Sequence, residues 1–141
     1  MRINFDMDGT IANLYAVENW LPQLIAENPK PYEMAKPLVN MSRLAKALNN
    51  AKANGHEIAI ISWGSKNSTD EYLEKIKQAK LNWLAKHLPS VKWNEIKVVP
   101  YGTPKSTCGT GILFDDEQAN LNEWGNNAYT PNKIFEVLAT I

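Results

Sequence analysis

Short continuous apolar runs alternate along this chain with stretches whose apolar residues recur every three or four positions. Arg2-Ile3-Asn4-Phe5 is too short for a helix and reads as a strand. Glu57-Ile58-Ala59-Ile60-Ile61-Ser62 is an unbroken apolar run of the kind buried on both faces of a parallel sheet. Residues 96–100 and 111–115 give two more strands, and Asn127-Ala128-Tyr129 a short edge strand. Between them the period becomes helical. Leu14, Val17, Leu21, Leu24 and Ile25 share a face that Pro22 interrupts, which predicts a kink or two short pieces. Leu44, Ala47, Leu48 and Ala51 line a helix over 43–54, with Ser42 as its cap and Gly55 at its end. Ser68-Thr69-Asp70-Glu71 reads as a capping box. The long helix it opens carries Leu73, Ile76, Leu81, Leu84 and Leu88, with the stems of Lys77 and Lys80 covering its flanks, and stops at Pro89. Residues 117–124 form a short helix, and Thr130-Pro131 starts a last one packed by Ile134, Val137 and Leu138. Four of the eight prolines fall between positions 22 and 37, which predicts a loop-rich excursion through which no helix runs.

Strands alternating with helices define an α/β domain with a parallel sheet. Right-handed crossovers set the strand C-termini at one edge, where such sheets bind ligands. We expect a single domain over 1–141, with about 11–40 as a reduced cap or loop-helix insertion. A chain of this length buries about two-thirds of its unfolded surface and needs no disulfide staples. Its one cysteine, Cys108, cannot form an internal disulfide, which fits a reducing compartment. The formal net charge of zero gives no support to stable nucleic-acid binding. The sequence has no apolar run of about 18 residues, so no membrane span is expected. A strand beginning at residue 2 leaves no room for a signal peptide, and the expected location is cytoplasmic.

The predicted edge collects chemistry. Asp6 and Asp8 follow the first strand, two residues apart and facing one spot, with Gly9 free to turn the chain. Ser62 ends the second strand and Trp63 follows it; Lys105 lies in the loop after the third; Asp115 and Asp116 end the fourth. Taken singly, each has an ordinary reading: an Asp-Gly turn, a strand-end hydroxyl, a solvated lysine, a helix cap. Together they form a set of acids that repel one another unless a cation joins them. All-oxygen ligands with no His or Cys favour a hard ion, Mg²⁺. Mg²⁺ with a lysine and a hydroxyl suits a phosphate.

Asp6-Met7-Asp8-Gly9-Thr10, Ser62, Lys105 and Asp115-Asp116 resemble, in order, the four motifs of the haloacid dehalogenase-like phosphohydrolases. The Pro-Lys-Ser segment ten residues before a double Asp looks like the 5'(3')-deoxyribonucleotidase branch and similar small bacterial or phage proteins, with Glu117 in place of that branch's arginine. The resemblance implies a Rossmann-like core with strand order 5-4-1-2-3. It makes Asp6 the nucleophile and Asp8 the general acid and base. It implies that Asp6, the Asp8 carbonyl and Asp115 hold Mg²⁺, with Asp116 behind them or as an alternative ligand. Ser62 and Lys105 would hold the phosphoryl oxygens.

The expected substrate is a small phosphate ester, a nucleoside (deoxy)monophosphate above others. Trp63, Tyr15, Trp20 and Tyr32 are aromatic groups near the phosphate site, and such groups stack on bases. Trp20 also fits the packed face of its helix; Trp83, Trp93 and Trp124 read as structural, and His56 and His87 carry no assigned chemistry. So small a cap also suits a phosphatase acting on a nucleic-acid 3'-phosphate or a phosphoprotein. A non-enzymatic phosphoacceptor domain has a similar acidic pocket, but with its acids in a different order along the strands.

Overall fold

The computed structural model describes residues 1–141. Five parallel strands make the main sheet: β1 (Arg2–Phe5), β4 (Glu57–Trp63), β5 (Glu95–Val99), β6 (Ile112–Phe114) and β7 (Ala128–Tyr129). A separate antiparallel pair, β2 (Ala12–Asn13) and β3 (Lys36–Pro37), closes the base of the insertion. The helices are α1 (Trp20–Ile25), α2 (Lys30–Met34), α3 (Met41–Ala53), α4 (Asp70–His87), α5 (Gln118–Trp124) and α6 (Ile134–Leu138). The main sheet runs β7-β6-β1-β4-β5. Leaving the short β2–β3 pair out of the count, this is the order 5-4-1-2-3.

β1 is central because its backbone is satisfied from both sides. Phe5 pairs with Ile60 of β4 and with Phe114 of β6. Alternation along the strands puts Ile3, Phe5, Ile58, Ile60, Ile112 and Phe114 on one face, where they pack with Leu44 and Leu48 of α3, Trp83 and Leu84 of α4, and Ile134 of α6. On the other face the fully buried Asn4 donates from Nδ2 to the carbonyls of Thr110 and Ile112, at 2.8 and 2.9 Å. α5 lies against β6 and β7. No helix is long and apolar enough to cross a membrane.

Several boundaries differ from the sequence reading. α3 is capped by Asn40, whose Oδ1 accepts from the Arg43 N–H at 2.9 Å, and Ser42 sits inside the helix. α4 starts one residue after Thr69, whose hydroxyl accepts from the Tyr72 N–H at 3.1 Å; Ser68 lies outside it. The C-terminal segment is a 3₁₀ turn over Pro131–Lys133 followed by α6, and the Thr130 side chain caps neither. The proline-rich excursion does contain helices. Pro22 is the third residue of α1 and Pro31 the second of α2, first-turn positions whose N–H has no partner within a helix. The proline count therefore marks helix starts as well as loops.

The insertion is docked rather than free. Trp83 Nε1 donates to the Ala35 carbonyl at 2.7 Å, Tyr72 Oη to the Asn28 carbonyl at 2.9 Å, and Thr69 Oγ1 to Glu27 Oε2 at 2.9 Å. All three donors belong to α4 or its cap, so α4 carries the insertion over the C-terminal edge of the sheet.

Candidate active site

The ladder of β1 continues one residue past Phe5: the Asp6 N–H donates to the Phe114 carbonyl at 2.9 Å. The Asp115 N–H donates likewise to Tyr129, at 3.1 Å. These two bonds set Asp6 and Asp115 side by side at the sheet edge. The chain then turns around the Met7 carbonyl, which accepts from the N–H groups of Thr10, Ile11 and Ala12. Gly9 turns it at φ +82°, and a Cβ there would lie 2.2 Å from Asp116 Oδ2. Gly9→Ala therefore meets both a left-handed backbone and a carboxylate. We expect it to cost about 2–3 kcal/mol in urea unfolding and to displace Asp116.

Lys105 enters from a 3₁₀ turn over Lys105–Thr107, between β5 and β6. It is 1% exposed, and its Nζ donates to Asp6 Oδ1 at 2.8 Å and to Asp115 Oδ2 at 2.7 Å. Burial pulls this ammonium's pKa down, but the charges of Asp6 and Asp115 outweigh it and hold the pKa above the usual lysine range. Thr10 Oγ1 donates to the other oxygen of Asp6 at 3.0 Å. Asp115 is fully buried and also accepts from Asn120 Nδ2 at 3.1 Å and from the Glu117 N–H at 2.9 Å. Burial and the neighbouring Asp6 raise its pKa. Asp116 stands at the rim. Burial of its carboxyl, then the charge of Asp6, push its pKa up to about 7.

Asp8 sits on the cleft side, with burial as the main cause of its raised pKa, offset in part by Lys80. Lys80 corrects the sequence reading. Rather than covering a flank of α4, it is fully buried, with Nζ 2.9 Å from Asp8 Oδ2, 2.5 Å from Ser62 Oγ and 2.8 Å from the Trp63 carbonyl. The buried stripe of α4 runs through Tyr72, Ile76, Ala79, Lys80, Trp83 and Leu84, and Lys80 lies on its axis. Ser62 is fully buried beneath the site, accepting from Lys80, and does not line the cleft; Ser65 and Lys66 do.

The cleft over these groups has a volume of about 310 Å³, at the small end of ligand pockets. Trp63 and Tyr101 form one wall, with ring centroids 4.9 Å apart, and Tyr15 and Trp20 of the insertion form another, 5.1 Å apart. The Trp63 indole N–H is committed to the Thr103 carbonyl at 2.8 Å, so Trp63 offers the cleft its ring rather than a donor. Tyr32 closes the inner end, with Oη 2.6 Å from Ser65 Oγ.

Oxygens of Asp6, Asp115 and Asp116 lie within 4.8 Å of one another and can hold a metal ion. A cation there would relieve the repulsion among these acids, which together with Asp8 outnumber the ammonium groups of Lys80 and Lys105.

Neither the protein families nor the curated proteins returned a match to this sequence. Among solved structures, a chain of a Pnkp1/Rnl/Hen1 complex is similar at a TM-score of 0.56 and 16% identity. The match covers 92% of this chain and 44% of that one, so this chain spans less than half the length of that neighbour. The likeness is one of fold alone, a parallel α/β sheet flanked by helices.

Proposed function

We propose that this protein is a Mg²⁺-dependent phosphomonoesterase of the haloacid dehalogenase-like type, acting on a nucleoside (deoxy)monophosphate or a similar small ester. The observation that carries the reading is the state of the two opening acids. Asp6 is fixed through both oxygens by Lys105 and Thr10, while Asp8, two residues on, has a raised pKa and faces the cleft. One is held as a nucleophile and the other suits a proton carrier.

In the first step an Asp6 oxygen attacks phosphorus, the bond from phosphorus to the leaving oxygen breaks, and the Asp8 proton passes to that oxygen. In the second, Asp8 takes a proton from water, the water oxygen attacks phosphorus, and the bond to Asp6 breaks. Lys105, which lines the cleft, is assigned to the phosphoryl oxygens; Ser62, buried beneath it, supports Lys80 instead. Asp6, Asp115, Asp116 and the Asp8 carbonyl would hold Mg²⁺, whose charge offsets that of the phosphoryl group. A base between the two aromatic walls would stack, a gain of about 1–3 kcal/mol.

The test is a panel of p-nitrophenyl phosphate, sugar phosphates, nucleoside monophosphates, a 3'-phosphorylated oligonucleotide and a phosphopeptide, each with Mg²⁺ and with EDTA. Nucleoside monophosphates should exceed sugar phosphates by at least about tenfold in kcat/KM, and EDTA should abolish turnover. Preference for the oligonucleotide or the phosphopeptide moves the substrate to a macromolecule. No turnover, with stable labelling by acetyl phosphate, favours a phosphoacceptor domain.

Metal binding should also be linked to protons. The Asp116 pKa, near 7 in the metal-free protein, lies above its unfolded value. The folded state thus holds a proton that the unfolded state has released between about pH 4 and pH 7, and this contribution to stability fades as pH rises. Mg²⁺ takes the proton's place. The rise in Tm on adding Mg²⁺ should therefore be larger at pH 8 than at pH 5.5, which thermal unfolding with and without the ion checks.

A further inference from the structure

We propose that Lys80 is a positioning residue for Asp8, fixing the carboxyl that delivers the proton to the leaving oxygen; this rests on the phosphoryl-transfer reading above. An ammonium has three protons. All three of Lys80's are donated, to Asp8 Oδ2, Ser62 Oγ and the Trp63 carbonyl. None remains for a substrate, and the side chain is fully buried, so Lys80 does not hold a phosphate itself. The Tyr32 ring also lies against the ammonium, 4.9 Å from Nζ to the centroid.

The dependence runs the other way as well. The hydrogen bond from Lys80 is the one the Asp8 carboxyl makes. It fixes Oδ2 and leaves Oδ1 without a hydrogen bond, on a residue that lines the cleft. Asp6 is held by Lys105 and Thr10, whereas Asp8 has Lys80 alone. Each acid of the Asp-x-Asp pair thus has its own buried lysine, from a different part of the chain.

Lys80 also ties Asp8 to the insertion. Tyr32 rests its ring on Lys80 and its hydroxyl on Ser65 in the loop after β4. A merely structural lysine needs no such convergence, because buried ion pairs are often replaced by apolar residues of similar volume without loss of stability.

The test compares kcat/KM for an alkyl phosphate, whose leaving oxygen must be protonated, with that for p-nitrophenyl phosphate, whose leaving group departs without a proton. This constant reports only the steps through formation of the phosphorylated enzyme. In Lys80→Met both values should fall, and the ratio of alkyl to aryl ester should fall by at least about thirtyfold, a part of the roughly 10²–10⁴-fold that one general acid contributes. Lys80→Gln, which can still donate, should recover part of that ratio. Equal losses on both esters, or failure of both variants to fold, would overturn the proposal and leave Lys80 a structural residue. A second readout needs no turnover: in a double-mutant cycle of Tm with Asp8→Asn, the effects of the two substitutions should not add. Additive effects would also overturn the proposal. Coupled Tm values in a wild-type protein that hydrolyses nothing would sink the phosphoryl-transfer reading and the positioning role with it, while leaving the ion pair in place.

Discussion

Replacing Asp6 with asparagine should lower turnover of every substrate by at least about a thousandfold without unfolding the protein. Asparagine fills the same space, and its oxygen can still accept from Lys105, 2.8 Å from the carboxylate it replaces. What is lost is the charged nucleophile. Stability separates this from a folding defect. The charge of Asp6 is among the causes that raise the pKa values of Asp8, Asp115 and Asp116, so its removal relieves repulsion in the metal-free protein. Asp6→Asn should therefore keep or raise the Tm without Mg²⁺, and shrink the gain on adding it. Steady-state kinetics and thermal unfolding on one preparation check both.

Lys105→Met should be the most damaging single change. The ammonium stands between Asp6 and Asp115 at 2.8 and 2.7 Å, with Asp115 fully buried. Methionine would leave two adjacent buried carboxylates with no cation between them. Breaking such a pair from one side costs about 3–5 kcal/mol, a large share of the stability of a domain this size. Turnover should be lost as well. Adding Asp115→Asn to Lys105→Met should restore part of the stability, because one of the stranded charges goes, but none of the activity. Urea unfolding of the single and double variants measures this.

The parts of the site that were legible in the sequence are those fixed by strand ends. Asp6, Ser62 and Asp115 each close an apolar run, and a parallel sheet brings the ends of its strands to one edge whatever the loops do. Lys105 lies 99 residues from Asp6, but its loop leaves the same edge. Lys80 was not legible. It shares α4 with Lys75, Lys77 and Lys86, and a lysine on an amphipathic helix ordinarily snorkels to water. One signal was present: Lys80 is four residues from both Ile76 and Leu84, in register with the buried stripe. Its burial follows from Asp8, which meets α4 only through the tertiary fold. Cap identity at Asn40 and Thr69 was lost for a related reason, since neighbouring polar residues compete for one cap and a shift of one or two positions decides between them.

The insertion was half legible. The run after Leu14 does divide into two short pieces, but the break falls before Asn19, at φ +56°, and Pro22 lies in the first turn of α1 as Pro31 lies in that of α2. Tyr15, Trp20 and Tyr32 reach the cleft because α4 anchors the insertion through Trp83 and Tyr72. Trp83, read as structural, is fully buried and makes one of those anchors.

The most direct test of the account is to quench the wild-type protein with acid during steady-state turnover of a nucleoside monophosphate with Mg²⁺, then locate the phosphoryl group by peptide mass spectrometry. A phosphoryl group on Asp6, absent when EDTA is present and absent in Asp6→Asn, is the predicted result. Phosphate release that continues at the wild-type rate with Asp6 unmodified, and that survives Asp6→Asn, would contradict it.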